Sequence, residues 1–455
     1  MALSLENKKV LILGLGESGF YSALFLHKKG AKVLVNDIKN EEAFKGILPE
    51  LKKRGIEYIL GSHPKEILSS IDLIVVSPGV PKDNILYKLA KKKNIKIIGE
   101  LELAYRFCKV PLIGVTGTKG KSTTTTLIGE ILKEGGYKVI TAGNIGVPFI
   151  QKVEELNEGY FVLEVSSFQL EDIEEFHPFI ALFINFYPDH MDRYKSLEEY
   201  KMAKMNIFKN QDTKDWSIGF YDQEEVREAI EVQKSQKLFF SFSKIDKEGI
   251  YLEKDRLIYK VKKKEGYFQL PIKGIWNRNL LLNFMASALV GLILNVNSQI
   301  IEKVGEEFKG IPHALEKVEE IKGRIFINDS KATNPISTIS AIKSFDNPIL
   351  LILGGRNKNF DFSELFYEIS RSSVKKLYLI GETRYIMENL ARKYKIPYSI
   401  EEDFESAIRH SYMESSKGDI ILLSPACASF DMFSNYKERG LVFSNIVRKI
   451  KDEEG

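Results

Sequence analysis

The sequence predicts an α/β protein of three domains, each built on a mostly parallel sheet, and three observations carry that prediction. Short apolar runs alternate with helical stretches along most of the 455 residues, the pattern of doubly wound sheets. A glycine-rich turn, Gly14-Leu15-Gly16-Glu17-Ser18-Gly19, follows the first apolar run, as in a Rossmann-like unit. A second, Gly114-Val115-Thr116-Gly117-Thr118-Lys119-Gly120-Lys121-Ser122, stands in mid-chain and opens a P-loop-type mononucleotide-binding unit. A chain this long exceeds one ordinary core, and length alone suggests about three domains. The expected limits are 1–107, 108–311 and 312–455, the last again Rossmann-like.

The elements follow in order. Residues 9–13 read as a strand, 18–29 as a helix, and 32–36, 73–76 and 95–98 as further strands. A linker at 106–111 leads into the strand 112–115 that carries the mid-chain turn. Residues 160–163 and 180–186 are nearly continuous apolar runs, as in parallel strands covered on both faces. The stretch 212–274 alternates more and is richer in turns, which predicts a small antiparallel excursion with strands at 238–241, 250–252, 257–261 and 267–270. Residues 280–296 are apolar but interrupted by Asn283, Ser287 and Asn295, which suits a buried helix better than a membrane span. Beyond Pro312, the runs 324–328, 349–353, 376–380 and 419–423 define the third sheet.

Composition excludes several classes. The net charge of +4 arises from 66 basic and 62 acidic residues, with the lysines scattered, so no nucleic-acid surface is indicated. The two cysteines, Cys108 and Cys427, suit a reducing compartment. The first residues lack the apolar core of a signal peptide. The expectation is a cytoplasmic protein without nucleic-acid or membrane partners.

The mid-chain turn is a phosphate cradle. Its glycines let backbone N–H groups face polyphosphate oxygens, Lys121 adds a mobile positive charge, and the Ser122 or Thr123 hydroxyl can reach Mg²⁺. The spacing varies from the strict P-loop. Glu164 ends an apolar strand beside it, where a carboxylate holds Mg²⁺ on the phosphates. His190, in Asp189-His190-Met191-Asp192-Arg193, reads equally as a hydrogen-bonded loop histidine, and Lys204 by itself reads as a helix-surface lysine. In the first domain the glycine turn with Asp37 alone would indicate a dehydrogenase, but the downstream cradle argues against that, and Ser77-Pro78-Gly79-Val80 adds donors for an anionic, nucleotide-like ligand. In the third domain three strand ends, 328–334, 354–358 and 424–431, converge polar groups for a small charged molecule. Lys358 is a carboxylate partner there. Cys427 lacks a general base and reads as a small buried filler.

Read in order, the motifs Gly-Leu-Gly-x-Ser-Gly, Ser-Pro-Gly-Val, Gly-Thr-x-Gly-Lys-Ser, Gly-Asn-Ile-Gly (143–146), Glu-Val-Ser-Ser-Phe-Gln-Leu (164–170), Asp-His-Met-Asp-Arg-Tyr (189–194), Asn-Asp-Ser-Lys-Ala-Thr-Asn (328–334) and Ser-Pro-Ala-Cys-Ala-Ser-Phe-Asp (424–431) resemble the Mur ligase family over all three domains. The 164–170 and 424–431 motifs point to its D-glutamate-adding branch. The resemblance implies an ATP-dependent amide-bond-forming ligase of peptidoglycan synthesis that joins D-glutamate to UDP-N-acetylmuramoyl-L-alanine through an acyl phosphate. By the same resemblance Ser18, Asp37, Ser77 and Ser166 meet the UDP-sugar. Gly117, Thr118, Lys119, Gly120, Lys121, Ser122, Thr123, Asn144, Asn283 and Asp329 meet ATP. Ser122, Glu164, His190 and Lys204 surround two Mg²⁺ ions, with Lys204 carrying a carbamate. Thr333, Lys358, Ser429, Phe430 and Tyr436 surround D-glutamate, and Lys121, Glu164, His190, Lys204 and Lys358 form the catalytic set.

Three positions depart from the family pattern. Lys119 replaces the usual Asn, the adenine-contacting motif around residues 274–283 is blurred, and Ala314 stands where an Arg is usual, for whose charge Lys119 would partly compensate. Two other readings remain open: another amino-acid ligase of the Mur and folylpolyglutamate superfamily, or a nucleotide-binding regulator with impaired catalysis.

Overall fold

Three sheets organise the computed structural model, which describes residues 5–144, 146–191, 193–272, 277–357 and 360–454. In the first, the strands Lys9–Leu13, Lys32–Asp37, Glu57–Leu60, Leu73–Val76 and Lys96–Gly99 are all parallel, in the order third, second, first, fourth, fifth. The order reverses between the first and fourth strands, and a crevice forms at such a switch point. The glycine turn and Ser77 sit there. Gly19 shows why glycine is required: a Cβ on it would lie 2.0 Å from the Gly14 carbonyl oxygen, so only glycine lets the helix Glu17–Lys28 approach the strand this closely.

The second sheet has nine strands. The cradle strand Leu112–Thr116 stands third from one edge, flanked in parallel by Tyr160–Glu164 and Ile180–Phe183. All of Leu112–Thr116 is buried, as a strand covered on both faces must be. The third sheet orders Glu316–Ile321, Arg324–Asn328, Ile420–Leu423, Ile349–Gly354, Val374–Ile380 and Tyr398–Ile400, with only the first pair antiparallel. The chain is therefore α/β with mostly parallel sheets, as the alternation of its apolar runs predicts.

The region 212–274 differs from its expectation. Trp216–Phe220, Gln236–Ser241 and Gly249–Glu253 extend the parallel sheet, and only Arg256–Val261 runs against it, pairing antiparallel with Gly249–Glu253 and with Lys264–Gln269. Trp216–Phe220 is buried throughout, so it shows no in–out alternation to mark it. The strand expected over 180–186 stops at Phe183, and Asn185 beyond it serves the cradle instead. Strands Glu57–Leu60, Val139–Gly143, Glu316–Ile321 and Tyr398–Ile400 carry no clear apolar run; each lies at a sheet edge, where half-exposed positions accept charge.

The apolar helix Arg278–Ile293 is buried along nearly its whole length in the protein core. Among the described residues no helix is long and apolar enough to cross a membrane. The chain divides into two compact units, Met1–Ile272 with Leu280–Glu306, and Lys273–Asn279 with Glu307–Gly455. The first two sheets thus share one unit. They are joined by the helix Glu100–Tyr105, whose fully buried Glu102 accepts the N–H groups of Glu174, Glu175 and Phe176.

Candidate active site

The cradle is held open from below by its neighbours. Gly117 and Gly120 have φ of 152° and 77°, backbone states that favour glycine, and Gly120 caps the helix Lys121–Glu134. Asn185 accepts the N–H groups of Thr118 and Lys119 on its Oδ1 at 3.0 and 2.9 Å, and donates Nδ2 to the Lys119 carbonyl at 2.8 Å. Asn283, 4% exposed, lies under Gly120 and accepts the Thr124 hydroxyl at 3.3 Å. It braces the cradle from the neighbouring helix. Lys119 Nζ stands 5.9 Å from the centre of the Tyr187 ring, and Thr123 is half-buried on the first turn.

Three of the expected residues meet in one cluster. Glu164, almost wholly buried at its strand end, accepts the Ser122 hydroxyl on Oε2 at 2.6 Å and the Asn144 amide on Oε1 at 2.8 Å. A buried carboxylate is tolerated because both oxygens have donors. Lys121 donates to the Thr118 carbonyl at 3.0 Å, and burial holds its ammonium below the ordinary lysine range.

Lys204 is the clearest outcome. It is 1% exposed, although the helix Leu197–Met205 places it in a stretch that reads as surface. Its Nζ donates to the Gly117 carbonyl at 2.7 Å and lies 4.6 Å from the centre of the Tyr200 ring. Burial, with the Lys121 charge adding to it, pushes its pKa down to about 6, so the amine is largely neutral at pH 7. His190, in the left-handed region at φ 55°, packs its ring against Phe168 at 4.8 Å and Tyr200 at 5.9 Å. Tyr200 thus touches both His190 and Lys204, and its hydroxyl reaches Thr118 Oγ1 at 3.4 Å. Sequence reasoning missed Asn185 and Tyr200; the only available signal was a polar or aromatic residue beside a named motif.

A cleft of about 460 Å³ opens over the first sheet, lined by Gly14, Gly16, Ser18, Asp37 and Ser77, and by Asn144, just past the strand Val139–Gly143, and Gln169 of the helix Ser167–Leu170. Asp37 accepts the Leu15 and Lys39 N–H groups at 2.7 and 2.9 Å, and so ties the glycine turn to the second strand. Ser77 donates to the Gly14 carbonyl at 2.8 Å. Ser166 caps the short helix Ser167–Leu170 in a reciprocal box with Gln169.

In the second unit, Asp329 accepts the Ser424 hydroxyl at 2.7 Å and the Leu315 N–H at 3.2 Å, and burial pushes its carboxyl up to about 7. Arg439, fully buried, donates to Ser330 Oγ and to the Ser330 and Cys427 carbonyls, which fixes the 424–431 turn against the 328–334 turn. It escaped the sequence reading because it lies in a charged helix. Thr333 is half-buried, Ser429 buried, Phe430 55% exposed, and Tyr436 starts the last helix with its carbonyl accepting the Ser330 hydroxyl. Lys358 lies outside the described residues. Cys427 is buried and its thiol is pushed up to about 11 by that burial, in keeping with a filler.

A phosphate cradle with a buried carboxylate and a desolvated lysine, beside a cleft lined by a second glycine turn, has the form of a nucleotide site. Comparison with known families agrees along the whole chain. Residues 8–99 match the Mur ligase MurD-like N-terminal domain, 115–291 the Mur ligase middle domain, and 315–427 the Mur ligase glutamate ligase domain. The chain belongs to the Mur ligase family. Within it, the chain is 41% identical to the UDP-N-acetylmuramoylalanine--D-glutamate ligases of Thermoanaerobacter pseudethanolicus and Clostridioides difficile, over 99% of this chain and 100% of each relative. In fold it is similar to the Thermotoga maritima MurF ligase solved with ADP, at TM-score 0.55 and 17% identity over 99% of this chain and 98% of that one. A pseudomurein peptide ligase type C from Methanothermus fervidus gives TM-score 0.54 and 18% identity, covering 98% of this chain and 100% of that one.

Proposed function

We propose that this chain catalyses the ATP-dependent addition of D-glutamate to UDP-N-acetylmuramoyl-L-alanine, a step of peptidoglycan precursor synthesis that serves cell shape and division. The observation that carries the reading is the meeting, on one glycine-rich cradle, of Lys121, the Ser122–Glu164–Asn144 cluster and the neutral amine of Lys204. Cradle N–H groups and Lys121 receive the ATP phosphates and stabilise the charge that shifts as the γ-phosphoryl moves to the L-alanine carboxylate. The D-glutamate amine then attacks the acyl phosphate, and phosphate leaves.

Mg²⁺ fits the oxygen donors present. Ser122 and Glu164 offer a hydroxyl and a carboxylate beside the phosphate site. Among the described residues no group of three or more His, Cys, Asp or Glu could hold a metal alone, so the phosphates and a modified lysine are the natural complement. A neutral Lys204 can take up CO₂, and the resulting carbamate, with Ser122, Glu164 and His190, would hold two ions; when bound, they supply charge neutralisation at the transferring phosphoryl group.

The remaining assignments follow the family pattern. Ser18, Asp37, Ser77 and Ser166 face the UDP-sugar, Asp329 serves the nucleotide, and Asn283 supports the nucleotide site from beneath Gly120. Thr333, Lys358, Ser429, Phe430 and Tyr436 serve D-glutamate. The domain limits are 1–107, 108–311 and 312–455, and the enzyme is a cytoplasmic monomer.

Phosphate release with the UDP-muramoyl-alanine acceptor, measured with D-glutamate, L-alanine, meso-diaminopimelate and L-lysine in turn, tests the reading. Release with D-glutamate alone is expected; release with another amino acid, or with none, overturns it. Lys204→Ala is expected to lose turnover by at least about a hundredfold, with partial recovery on adding short carboxylates. Wild-type turnover in that variant rules out the carbamate.

A further inference from the structure

The sugar-nucleotide cleft contains a histidine that no motif pointed to. His63, half-buried, lies in the loop that follows the third strand and lines the cleft. Both of its ring nitrogens are committed to amides whose own orientation is fixed. Asn36, fully buried, spends Nδ2 on the carbonyls of Ile59 and Ser62, both at 2.8 Å, so the atom facing His63 Nδ1 at 2.5 Å is its oxygen, an acceptor. Nδ1 must therefore carry the proton. Asn84 spends its oxygen on the N–H groups of Leu86 and Tyr87, capping the helix Ile85–Lys92, so its NH₂ faces His63 Nε2 at 2.9 Å. Nε2 must therefore accept. The network selects one neutral tautomer and leaves the ring no nitrogen to offer a ligand.

With both nitrogens committed, what the ring has left to offer a ligand in the cleft is its planar carbon surface. The cleft is lined by a second apolar surface, Ile38, which is 59% exposed and directly follows Asp37. Position in the fold says which part of a sugar nucleotide meets them. Asn36 and Asp37 lie on the second strand, separated by the first and fourth from the fifth, whose Gly99 N–H bonds the Asp172 carbonyl of the ATP-binding domain. The glycine turn that suits the pyrophosphate stands between. A substrate with its reacting carboxylate toward the cradle and its pyrophosphate on the glycine turn places its nucleobase on the second-strand side.

We propose that His63 is the platform on which the nucleobase of the sugar nucleotide stacks, a specificity-determining residue that acts through its ring face and forms no hydrogen bond to the base. The inference rests on the sugar-nucleotide reading above. Aromatic–base stacking is sequence-tolerant and depends on a planar base. The test compares the dissociation constants of UDP and 5,6-dihydro-UDP, which keeps the hydrogen-bonding edge but puckers the base. Wild-type enzyme is expected to favour UDP by about tenfold. His63→Ala loses that preference, and His63→Phe, which restores a flat face without ring nitrogens, keeps it. Upfield ring-current shifts of the uracil H5 and H6 protons are expected in wild type and absent in His63→Ala. Equal binding of the two ligands by wild type overturns the proposal. So does a preference that survives in His63→Ala, for then His63 only staples the loop. Should wild-type enzyme bind no UDP, the sugar-nucleotide reading itself falls.

Discussion

A single amide shows how the cradle keeps its shape. Two N–H groups and one C=O group of residues 118–119 are satisfied by the side chain of Asn185, which pins this part of the turn. Asn185→Ala removes all three bonds, each worth about 1 kcal/mol net. The expected result is a loss of about 2–3 kcal/mol in a urea melt and a rise of about tenfold in the ATP KM, with the KM for the sugar nucleotide unchanged. An unchanged ATP KM would show that the turn keeps its shape unaided. Lys204 makes the complementary point. In one dimension it is a lysine on a polar helix; only the neighbours packed over it remove its water and lower its pKa to about 6.

At the scale of elements, the glycine turns and the buried parallel strands were legible because each leaves a local signature. Gly19 must be glycine for steric reasons, and four consecutive buried residues in Leu73–Val76 read as a continuous apolar run. Edge strands such as Tyr398–Ile400 leave no such signature, since one side faces solvent. Gly19→Ala would set its Cβ 2.0 Å from the Gly14 carbonyl oxygen and 2.8 Å from Ser77 Oγ, so the helix Glu17–Lys28 must shift. An expected cost of about 2 kcal/mol or more by denaturant melt accompanies a raised KM for the sugar nucleotide. Normal stability and KM in this variant would mean that the helix end can yield freely.

At the scale of the molecule, two buried carboxyls on one short helix join the first two sheets. Glu102 is bonded by three N–H groups of residues 174–176 and by Arg106 Nε at 2.8 Å. Removing it in Glu102→Ala strips those three N–H groups of their acceptor and leaves Arg106 paired with Glu174 and Glu175 alone, at a cost of about 3 kcal/mol. Calorimetry is expected to show the single transition of this unit splitting in two; one unshifted transition would deny the joint. Glu100, 1% exposed, accepts the Ile150 N–H at 2.8 Å, and burial raises its pKa to about 7. Because the folded state holds this proton more tightly than the unfolded chain, its contribution is present below about pH 4.5 and is lost as pH rises through about 7. Relative to Glu100→Gln, wild-type protein is therefore expected to lose up to about 3 kcal/mol of stability between pH 4.5 and 7 in parallel melts, whereas parallel pH profiles would exclude an elevated pKa.

The sequence by itself determined the α/β class, the cradle, the glycine turn and the order of motifs that places the chain among the Mur ligases, since each depends on residues adjacent in the chain. The tertiary structure alone decided which of those residues meet. It joined Ser122, Asn144 and Glu164 from three separate segments, buried Lys204, and recruited Asn185, Tyr200 and His63. Burial and hydrogen-bond pairing are properties of neighbours in space, and parallel sheets draw those neighbours from strand ends tens of residues apart in sequence.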